Sequence, residues 1–322
     1  MLNIDDVELF IHVGYPKTAT TWMQTHVYEE VPSLLQIGNK YKLSDWGLHL
    51  VAAHDLDFDP QLVVQRVLKI VAQSKQRKVV ISWEHLLGDS AFNSDGLVRI
   101  ANRLKQCFPN AKVIFYIREQ LSLIKSLYAQ YVQEGGTWKL EDFLSLDYPY
   151  RVGFNLVYLD YFKVASLYCE LFGHSNVYIQ TYERLKQAPE NETERLFQWM
   201  QIASDRPFSA ISTEHKNVSL SRQTLGFLRL LNYIIPSRFN SLGPKRFTRQ
   251  PRSRFYIRKY LQEYIDPYII RRIFTSSNIH IDSETQRGIH TQFAKSNMLM
   301  QSHFNLPLAQ QGYPLHEENI ND

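Results

Sequence analysis

A lysine and three threonines lie close together near the start of the sequence, in the segment GYPKTATTW at residues 14–22. The segment follows an apolar run at residues 8–13, and Met23 and Val27 come after it at helical spacing. At a turn from a strand to a helix, backbone N–H groups and the helix dipole bind anions. We therefore predict that residues 14–22 hold a phosphate or a similar group, in preference to a threonine-capped helix start with a chance lysine.

The segment differs from the P-loop of nucleotide-hydrolysing enzymes. That loop has the pattern GxxxxGK[ST], whereas no second glycine stands directly before Lys17. Metal-dependent hydrolysis of ATP is therefore disfavoured, and we expect no metal requirement.

Arg118 is a second candidate for binding an anion. It directly follows residues 112–117, the most apolar strand candidate, and ligands of open α/β sheets bind at the carboxyl ends of strands. If a helix begins near Leu121, Ser126 lies in its second turn, where its hydroxyl and the guanidinium can hold one phosphate. Alone, an arginine in this position is more often a surface ion-pair residue, so the prediction depends on the loop at residues 14–22.

The elements around these motifs indicate an α/β fold with a central parallel sheet flanked by helices. Strands alternating with helices predict a parallel sheet that is covered on both faces. Strands are predicted at residues 8–13, 78–82, 112–117 and 176–180, and helices at 61–72, 95–108, 122–133, 158–172, 190–200 and 283–300.

We expect one domain over residues 1–322. It comprises an α/β core to about residue 205, a basic helical and loop segment at about 211–262, and a C-terminal helix and tail at about 263–322. The polar tail after Gly312-Tyr313-Pro314 is predicted to fray. His12, inside the first strand, is expected to be a core histidine that bonds to the backbone.

Composition is that of an ordinary globular protein, because 44% of the 322 residues are hydrophobic and only two are cysteines. The cysteines are isolated, which excludes a disulfide scaffold and a local metal motif. The acidic N-terminus and the absence of a long apolar run predict a cytoplasmic protein without a membrane span. Between His215 and Gln262 there are 11 Lys and Arg and no Asp or Glu, and we expect this stretch to attract an anion.

Together the motifs resemble those of the P-loop-like sulfotransferases that use 3′-phosphoadenosine 5′-phosphosulfate (PAPS), in particular bacterial and carbohydrate-type members. Residues 14–21 resemble the family's 5′-phosphosulfate loop, and residues 118–126 its 3′-phosphate element. The segment YIQTYERL at residues 178–185 is similar to a Tyr-Glu-x-Leu segment after a strand. Order and spacing agree over residues 11–201, and the resemblance implies a P-loop NTPase-like sulfotransferase fold with PAPS as donor.

The resemblance also implies roles for single residues. The residues implied in donor binding are Lys17, Thr18, Ala19, Thr20, Thr21 and Trp22 on the 5′ side, Arg118 and Ser126 at the 3′-phosphate, and Tyr182 near the nucleotide. Trp22 has the alternative of a core residue.

Two departures from the family stand out. Glu119 and Gln120 occupy positions where the family often has Asn-Pro, and the Arg-Lys-Gly triplet of the cytosolic arylsulfotransferases is absent. Candidates for the missing clamp are Lys216, Asn217, Ser219 and the Arg-rich loop at residues 237–254.

Sulfuryl transfer should resemble phosphoryl transfer, with charge growing on the leaving oxygen, which Lys17 is placed to meet. The family places its base just beyond the strand that follows the phosphate loop, here SWEH at residues 82–85. Carbohydrate-type members of the family often use a Glu in this region and small-molecule enzymes a His, so the resemblance implies Glu84 as the base and His85 as the alternative. If the strand continues through these residues, adjacent side chains point to opposite sides and only one of the two can face the sulfur. In the alternative, non-catalytic interpretation, Glu84 lies next to the N-cap of a helix and His85 is a packing residue whose polar atoms are satisfied.

The predicted function is therefore transfer of a sulfuryl group from PAPS to a hydroxyl or amine of a carbohydrate or other small metabolite, anionic glycans included. A polyanion-binding protein for nucleic acid or acidic lipid, or a nucleotide-dependent kinase, is the alternative. We expect no nucleic-acid partner, and the oligomeric state is left open.

Overall fold

Five parallel strands form the central sheet, in the order β2-β3-β1-β4-β5. They are β1 (Glu8–Val13), β2 (Leu34–Ile37), β3 (Lys78–Trp83), β4 (Lys112–Ile117) and β5 (Val177–Thr181). Strand β1 lies in the middle and pairs with β3 on one side and β4 on the other. Because the strands are parallel, the loops that follow β1, β3 and β4 leave the same edge of the sheet.

The architecture comes from a computed structural model that describes residues 2–38, 45–88, 96–144, 154–203, 220–235, 237, 239, 266, 268 and 279–315. The predictions for Lys216, Asn217, Ser219 and most of the Arg-rich loop at 237–254 lie outside the described residues.

Helices cover both faces of the sheet, as the alternation of elements predicts. They are α1 (Thr20–Met23), which continues as a π-helical turn (Gln24–Tyr28), α2 (Asp45–Ala52), α3 (Pro60–Ala72), α4 (Gly96–Cys107), α5 (Gln120–Gln133), α6 (Leu140–Leu144), α7 (Tyr161–Phe172), α8 (Tyr182–Gln187), α9 (Pro189–Met200), α10 (Arg222–Leu231) and α11 (Ser283–Phe304). Short 3₁₀ turns at Glu84–Leu87 and Leu156–Leu159 follow β3 and precede α7.

Two hydrophobic clusters, one on each face, form the core. Alternate residues of β1 point to opposite faces, so Phe10 packs with α1 and α9, whereas Leu9 and Ile11 belong to the larger cluster with α3, α4 and α7. Both faces are buried, and β1 and β4 are accordingly buried over all residues but the first and mostly apolar. The prediction of an α/β fold with a covered parallel sheet is confirmed.

The edge strand β2 was not predicted. It has only four residues, and its burial does not alternate. A strand this short carries too little periodicity to be distinguished from a loop.

The helix in the C-terminal region is longer than the sequence pattern predicts. Helix α11 runs to Phe304, four residues past the predicted end at residue 300, and the Asp282 side chain caps its first turn by accepting from the Thr285 N–H at 2.8 Å. Tyr313, which lies just before the tail that is predicted to fray, is only 4% exposed, and that tail beyond residue 315 lies outside the described residues. Of the residues that the structure describes, no helix is both long and apolar enough to cross a membrane.

Candidate functional site

The loop from Gly14 to Ala19 connects β1 to α1 at the carboxyl edge of the sheet. Lys17 and Ala19 both adopt the left-handed conformation, with φ of 65° and 66°. For residues other than glycine this costs about 1–3 kcal/mol each, and such strain concentrates at ligand sites. Turns of this kind can direct successive backbone N–H groups into one anion-binding concavity. The loop therefore has the backbone expected of a phosphate site.

Gly14 leaves room that a side chain would fill. A Cβ at this position would lie 2.5 Å from Thr20 Oγ1. Thr20 is only 2% exposed, and its hydroxyl has no hydrogen-bond partner among the described residues. A buried hydroxyl without a partner is costly, and a bound anion would satisfy it.

The other loop side chains have different environments. Thr18 is fully buried, and its hydroxyl donates to the Tyr15 carbonyl at 2.7 Å. Because the Thr18 hydroxyl is already used in this bond, the predicted contact of Thr18 with a ligand would be made by its backbone N–H. Lys17, Thr21 and Trp22 are all partly exposed, and Ala19 is the N-cap of α1.

Arg118 directly follows β4, and its guanidinium reaches the loop. Nη1 donates to the carbonyl oxygen of Lys17 at 3.0 Å. Nε and Nη2 both donate to Ser122 Oγ, at 3.0 and 2.8 Å. The guanidinium carbon lies 4.7 Å from the centre of the Tyr182 ring, a cation–π contact. The two anion-binding elements predicted from the sequence are thus in direct contact.

Ser122 was missed by sequence reasoning. Its hydroxyl oxygen accepts from Nε and Nη2 of Arg118. Ser126, which is partly exposed, lies one helical turn further along α5. The signal that could have revealed Ser122 is its spacing of four residues from Arg118 at a helix start. Ser122 therefore joins the candidate site through its contact with Arg118, whereas the role of Ser126 stays a prediction.

The departure from Asn-Pro after Arg118 does not disturb the start of α5. The Glu119 carboxylate accepts from the N–H groups of Leu121 and Ser122 at 2.8 and 2.7 Å, and it caps the helix. Burial raises the pKa of Glu119, although these two hydrogen bonds oppose the rise. Gln120, the first residue of α5, is fully buried.

Glu84 and His85 do not continue strand β3, so the alternation of side chains expected for a continuing strand does not apply to them. The strand ends at Trp83, and Glu84 opens a 3₁₀ turn. Glu84 is partly buried, whereas His85 is exposed with its ring 5.0 Å from that of Trp83 in an edge contact. In the β1–β3 register Val13 lies opposite Trp83, so Glu84 and the Gly14 loop leave the sheet at the same level.

His12 is a core residue, as predicted, but its expected backbone partner is wrong. Its Nδ1 lies 3.0 Å from Ser82 Oγ, a side-chain partner. Burial lowers the pKa of His12 to about 3, so the ring is neutral at pH 7. Gln24 donates to the Ser82 carbonyl at 2.9 Å. The turn after α1 is thereby fixed to the strand that leads to Glu84.

No group of three or more His, Cys, Asp or Glu that could hold a metal occurs within the described part of the chain. The residues that are brought together are instead cations, hydroxyls and backbone N–H groups. These bind anions without a metal.

A family model described as "Sulfotransferase domain" matches residues 8–222. Among solved structures, the chain is similar to a sulfotransferase from Alicyclobacillus acidocaldarius, with 13% identity over 65% of this chain and 85% of that one, at a TM-score of 0.47. A sulfotransferase domain from the curacin biosynthetic pathway matches with 16% identity over 66% and 81%, at a TM-score of 0.40. Mouse sulfotransferase SULT7A1, complexed with PAP, matches with 14% identity over 83% and 87%, at a TM-score of 0.37. No curated protein matches the chain in sequence.

Proposed function

The chain belongs to the sulfotransferase domain family and is an enzyme of sulfuryl transfer, and we propose that its donor is PAPS and its acceptor a hydroxyl or amine of a carbohydrate or other small metabolite. When bound, PAPS supplies the activated sulfuryl group. The protein binds this donor, orients the acceptor and removes a proton from it. A basic segment at residues 215–262 favours an anionic nucleotide or an anionic acceptor, such as a sulfated or carboxylated glycan.

The observation that carries the proposal is the contact between Arg118 and Lys17. The phosphate loop and the arginine come from different strands, yet Nη1 lies 3.0 Å from the Lys17 carbonyl. Two anion-binding elements this close suit a single ligand with two separate charged groups. A nucleoside with a 5′-phosphosulfate and a 3′-phosphate has that chemistry.

Arg118 keeps the donors that a phosphate requires. A guanidinium has five N–H groups, and three are used in the bonds to Lys17 and Ser122. The two that remain suffice for a bidentate bond to a phosphate. Ser122 accepts both of its bonds from Arg118, so its own hydroxyl hydrogen is left for the same anion. Ser126, one turn further on, extends this hydroxyl face.

The loop supplies the 5′ side of the proposed site. Backbone N–H groups of residues 18–21 and the unpartnered Thr20 hydroxyl bind the 5′ end. The Lys17 ammonium stabilises the charge that grows on the leaving oxygen, and a donor already in position does so without reorganisation. Loss of one such donor typically raises a barrier by about 3–4 kcal/mol.

Glu84 is the proposed base, with His85 as the alternative. Glu84 leaves the sheet beside the Gly14 loop, because β1 and β3 are neighbouring strands and Val13 lies opposite Trp83. A carboxylate at that position can accept the acceptor's hydroxyl proton while Lys17 faces the leaving group.

Donor identity is tested by thermal unfolding with 3′-phosphoadenosine 5′-phosphate (PAP), ATP with magnesium, and a DNA duplex in turn. A ligand at 100 times its Kd stabilises the native state by about 2.7 kcal/mol. We expect a rise in Tm with PAP that is lost in Lys17→Ala and Arg118→Ala. Transfer of labelled sulfate from PAPS to a panel of glycans and small alcohols then identifies the acceptor class. A stable protein that responds to DNA or ATP but not to PAP would overturn the donor assignment.

A further inference from the structure

We propose that α11 and the residues after it form part of the donor site, because Asn297 and Tyr313 act as positioning residues that hold Glu119 and Gln120, the two residues that directly follow Arg118. Both lie beyond residues 8–222, which the family model covers. The inference rests on the proposed function, in that Arg118 is taken to bind the donor. It adds a part of this chain that the motifs do not include.

Asn297 holds the residue two positions after Arg118. Its Oδ1 accepts from Gln120 Nε2 at 2.7 Å, and its Nδ2 lies 3.3 Å from Gln120 Oε1. Nδ2 also donates to the Pro314 carbonyl at 2.9 Å, which binds the tail into the same group. Both amide side chains are fully buried. Loss of either partner would leave a buried polar group unsatisfied, which is unfavourable in a site closed to water.

Tyr313 holds the peptide that directly follows Arg118. Its hydroxyl donates to Glu183 Oε2 at 2.9 Å, and Glu183 Oε1 accepts from the Glu119 N–H at 3.0 Å. Burial raises the pKa of Tyr313 well above its usual range, so the hydroxyl keeps its proton and remains a donor. One carboxylate thus connects the tail to the peptide that follows Arg118. Glu183 is also the neighbour of Tyr182, whose ring contacts the guanidinium.

The start of α7 completes the support. The Tyr161 hydroxyl donates to the Arg118 carbonyl oxygen. The next residue, Phe162, donates its N–H to Ser296 Oγ on α11 at 3.1 Å. Helix α11 therefore contacts both the helix that begins after Arg118 and the helix that bonds to its carbonyl. These contacts hold the backbone from which the Arg118 side chain extends before any ligand arrives, which should lower the Kd of the donor and leave the chemical step unchanged.

The test is Tyr313→Phe, which keeps the ring and removes only the hydroxyl. We expect the Kd of PAP, measured by calorimetry, to rise about 3–10-fold, since one buried charge-assisted hydrogen bond is lost. The KM for PAPS should rise in parallel, while kcat and the KM for the acceptor stay near their wild-type values. Tyr168→Phe is the matched control, because its buried hydroxyl has no hydrogen-bond partner within the described ranges, and it should leave the Kd unchanged.

A double-mutant cycle with Arg118→Ala separates positioning from general destabilisation. In the Arg118→Ala background, Tyr313→Phe should have no further effect on PAP binding. Asn297→Ser can replace Tyr313→Phe in this cycle. It should likewise weaken PAP binding in the wild-type background and have no further effect in the Arg118→Ala background. Unchanged PAP affinity in both single variants, or an equal loss with and without Arg118, would overturn the inference alone. Failure of the wild-type protein to bind PAP would overturn the donor assignment instead.

Discussion

The side chain of Arg118 donates a hydrogen bond to the backbone carbonyl of Lys17, 101 residues earlier in the chain, at 3.0 Å. This bond joins the loop after β1 to the turn after β4. Lys17 is held in the left-handed region at φ 65°, and the bond to its carbonyl helps to fix that conformation. One residue therefore has two functions in the proposed site, to bind the donor and to shape the loop that binds its other end.

Replacement of Arg118 should weaken donor binding. We expect Arg118→Ala to raise the Kd of PAP about 10–100-fold, because charged hydrogen bonds contribute about 1.5–3 kcal/mol. Arg118→Lys should recover only part of this, since an ammonium lacks the planar fork. Arg99 is an exposed arginine that donates to the Val51 carbonyl at 3.3 Å, and Arg99→Ala should bind PAP like the wild type. Calorimetry on the three variants measures the difference, and wild-type affinity in Arg118→Ala would contradict the prediction.

Gly14→Ala should destabilise the loop. Its Cβ would lie 2.5 Å from Thr20 Oγ1, so α1 must shift, at a cost of about 1–3 kcal/mol. Gly226→Ala is the matched control, because a Cβ there meets nothing within 4 Å. As an interior position of α10 it should instead stabilise by up to about 1 kcal/mol. Denaturant unfolding and PAP binding measure both effects. Equal stability of the two variants would show that Gly14 is not sterically required.

Glu84→Gln should remove turnover without removing donor binding. Loss of a general base typically lowers kcat by a factor of about 10²–10⁴, whereas the neutral amide leaves the phosphate loop intact. Glu170→Gln, at an exposed position near the end of α7, serves as the matched control for the substitution. Steady-state kinetics with saturating PAPS and PAP calorimetry separate the two quantities. If His85→Gln carried the loss of kcat and Glu84→Gln did not, the base would be His85.

Two buried groups should give opposite pH dependences of stability. Burial raises the pKa of Glu192 from 4.5 to about 7, so between these values the native state holds a proton that the unfolded state has lost. Its contribution to stability is therefore present below pH 4.5 and is lost as the pH rises through 7. Burial lowers the pKa of His12 from 6.5 to about 3, so its contribution is lost as the pH falls from 6.5 toward 3.

Single variants should expose each dependence. Relative to the wild type, the unfolding free energy of Glu192→Gln should increase with pH by about 1.4 kcal/mol per unit between pH 5 and 6.5, and that of His12→Gln should decrease by a similar amount. Urea unfolding at a series of pH values measures both slopes. Two slopes of the same sign would contradict the assignment of either pKa.

The fold could be predicted from the sequence wherever an element carries its own pattern. Strands β1, β3 and β4 are mostly apolar because both faces of the sheet are covered. Strand β2 carries no such pattern, since it is short and lies at the edge. On α11, Ile289 and Phe293 are buried as expected, but Met298 is 46% exposed.

The candidate site could be predicted only where a motif is local. The loop at residues 14–22 and Arg118 each stand at the end of an apolar strand, where chemistry-bearing residues are recognisable. Gln120 and Asn297 are 177 residues apart in the sequence. No local sequence pattern indicates that one amide side chain will bind another at such a separation. The predicted hydrogen-bond partner of His12 was wrong for the same reason, because Ser82 is brought beside His12 only by the pairing of β1 with β3.

The central place of β1 divides the proposed site into two flanks. Strand β4, on one side, leads to Arg118, and β3, on the other, leads to Glu84. If the proposed roles of Arg118 and Glu84 hold, mutations along the β3 flank would alter which compound is modified while the β4 flank would go on binding the same nucleotide. Such a scaffold is open to diversification by gene duplication, because a new specificity on one flank does not require the other to be rebuilt.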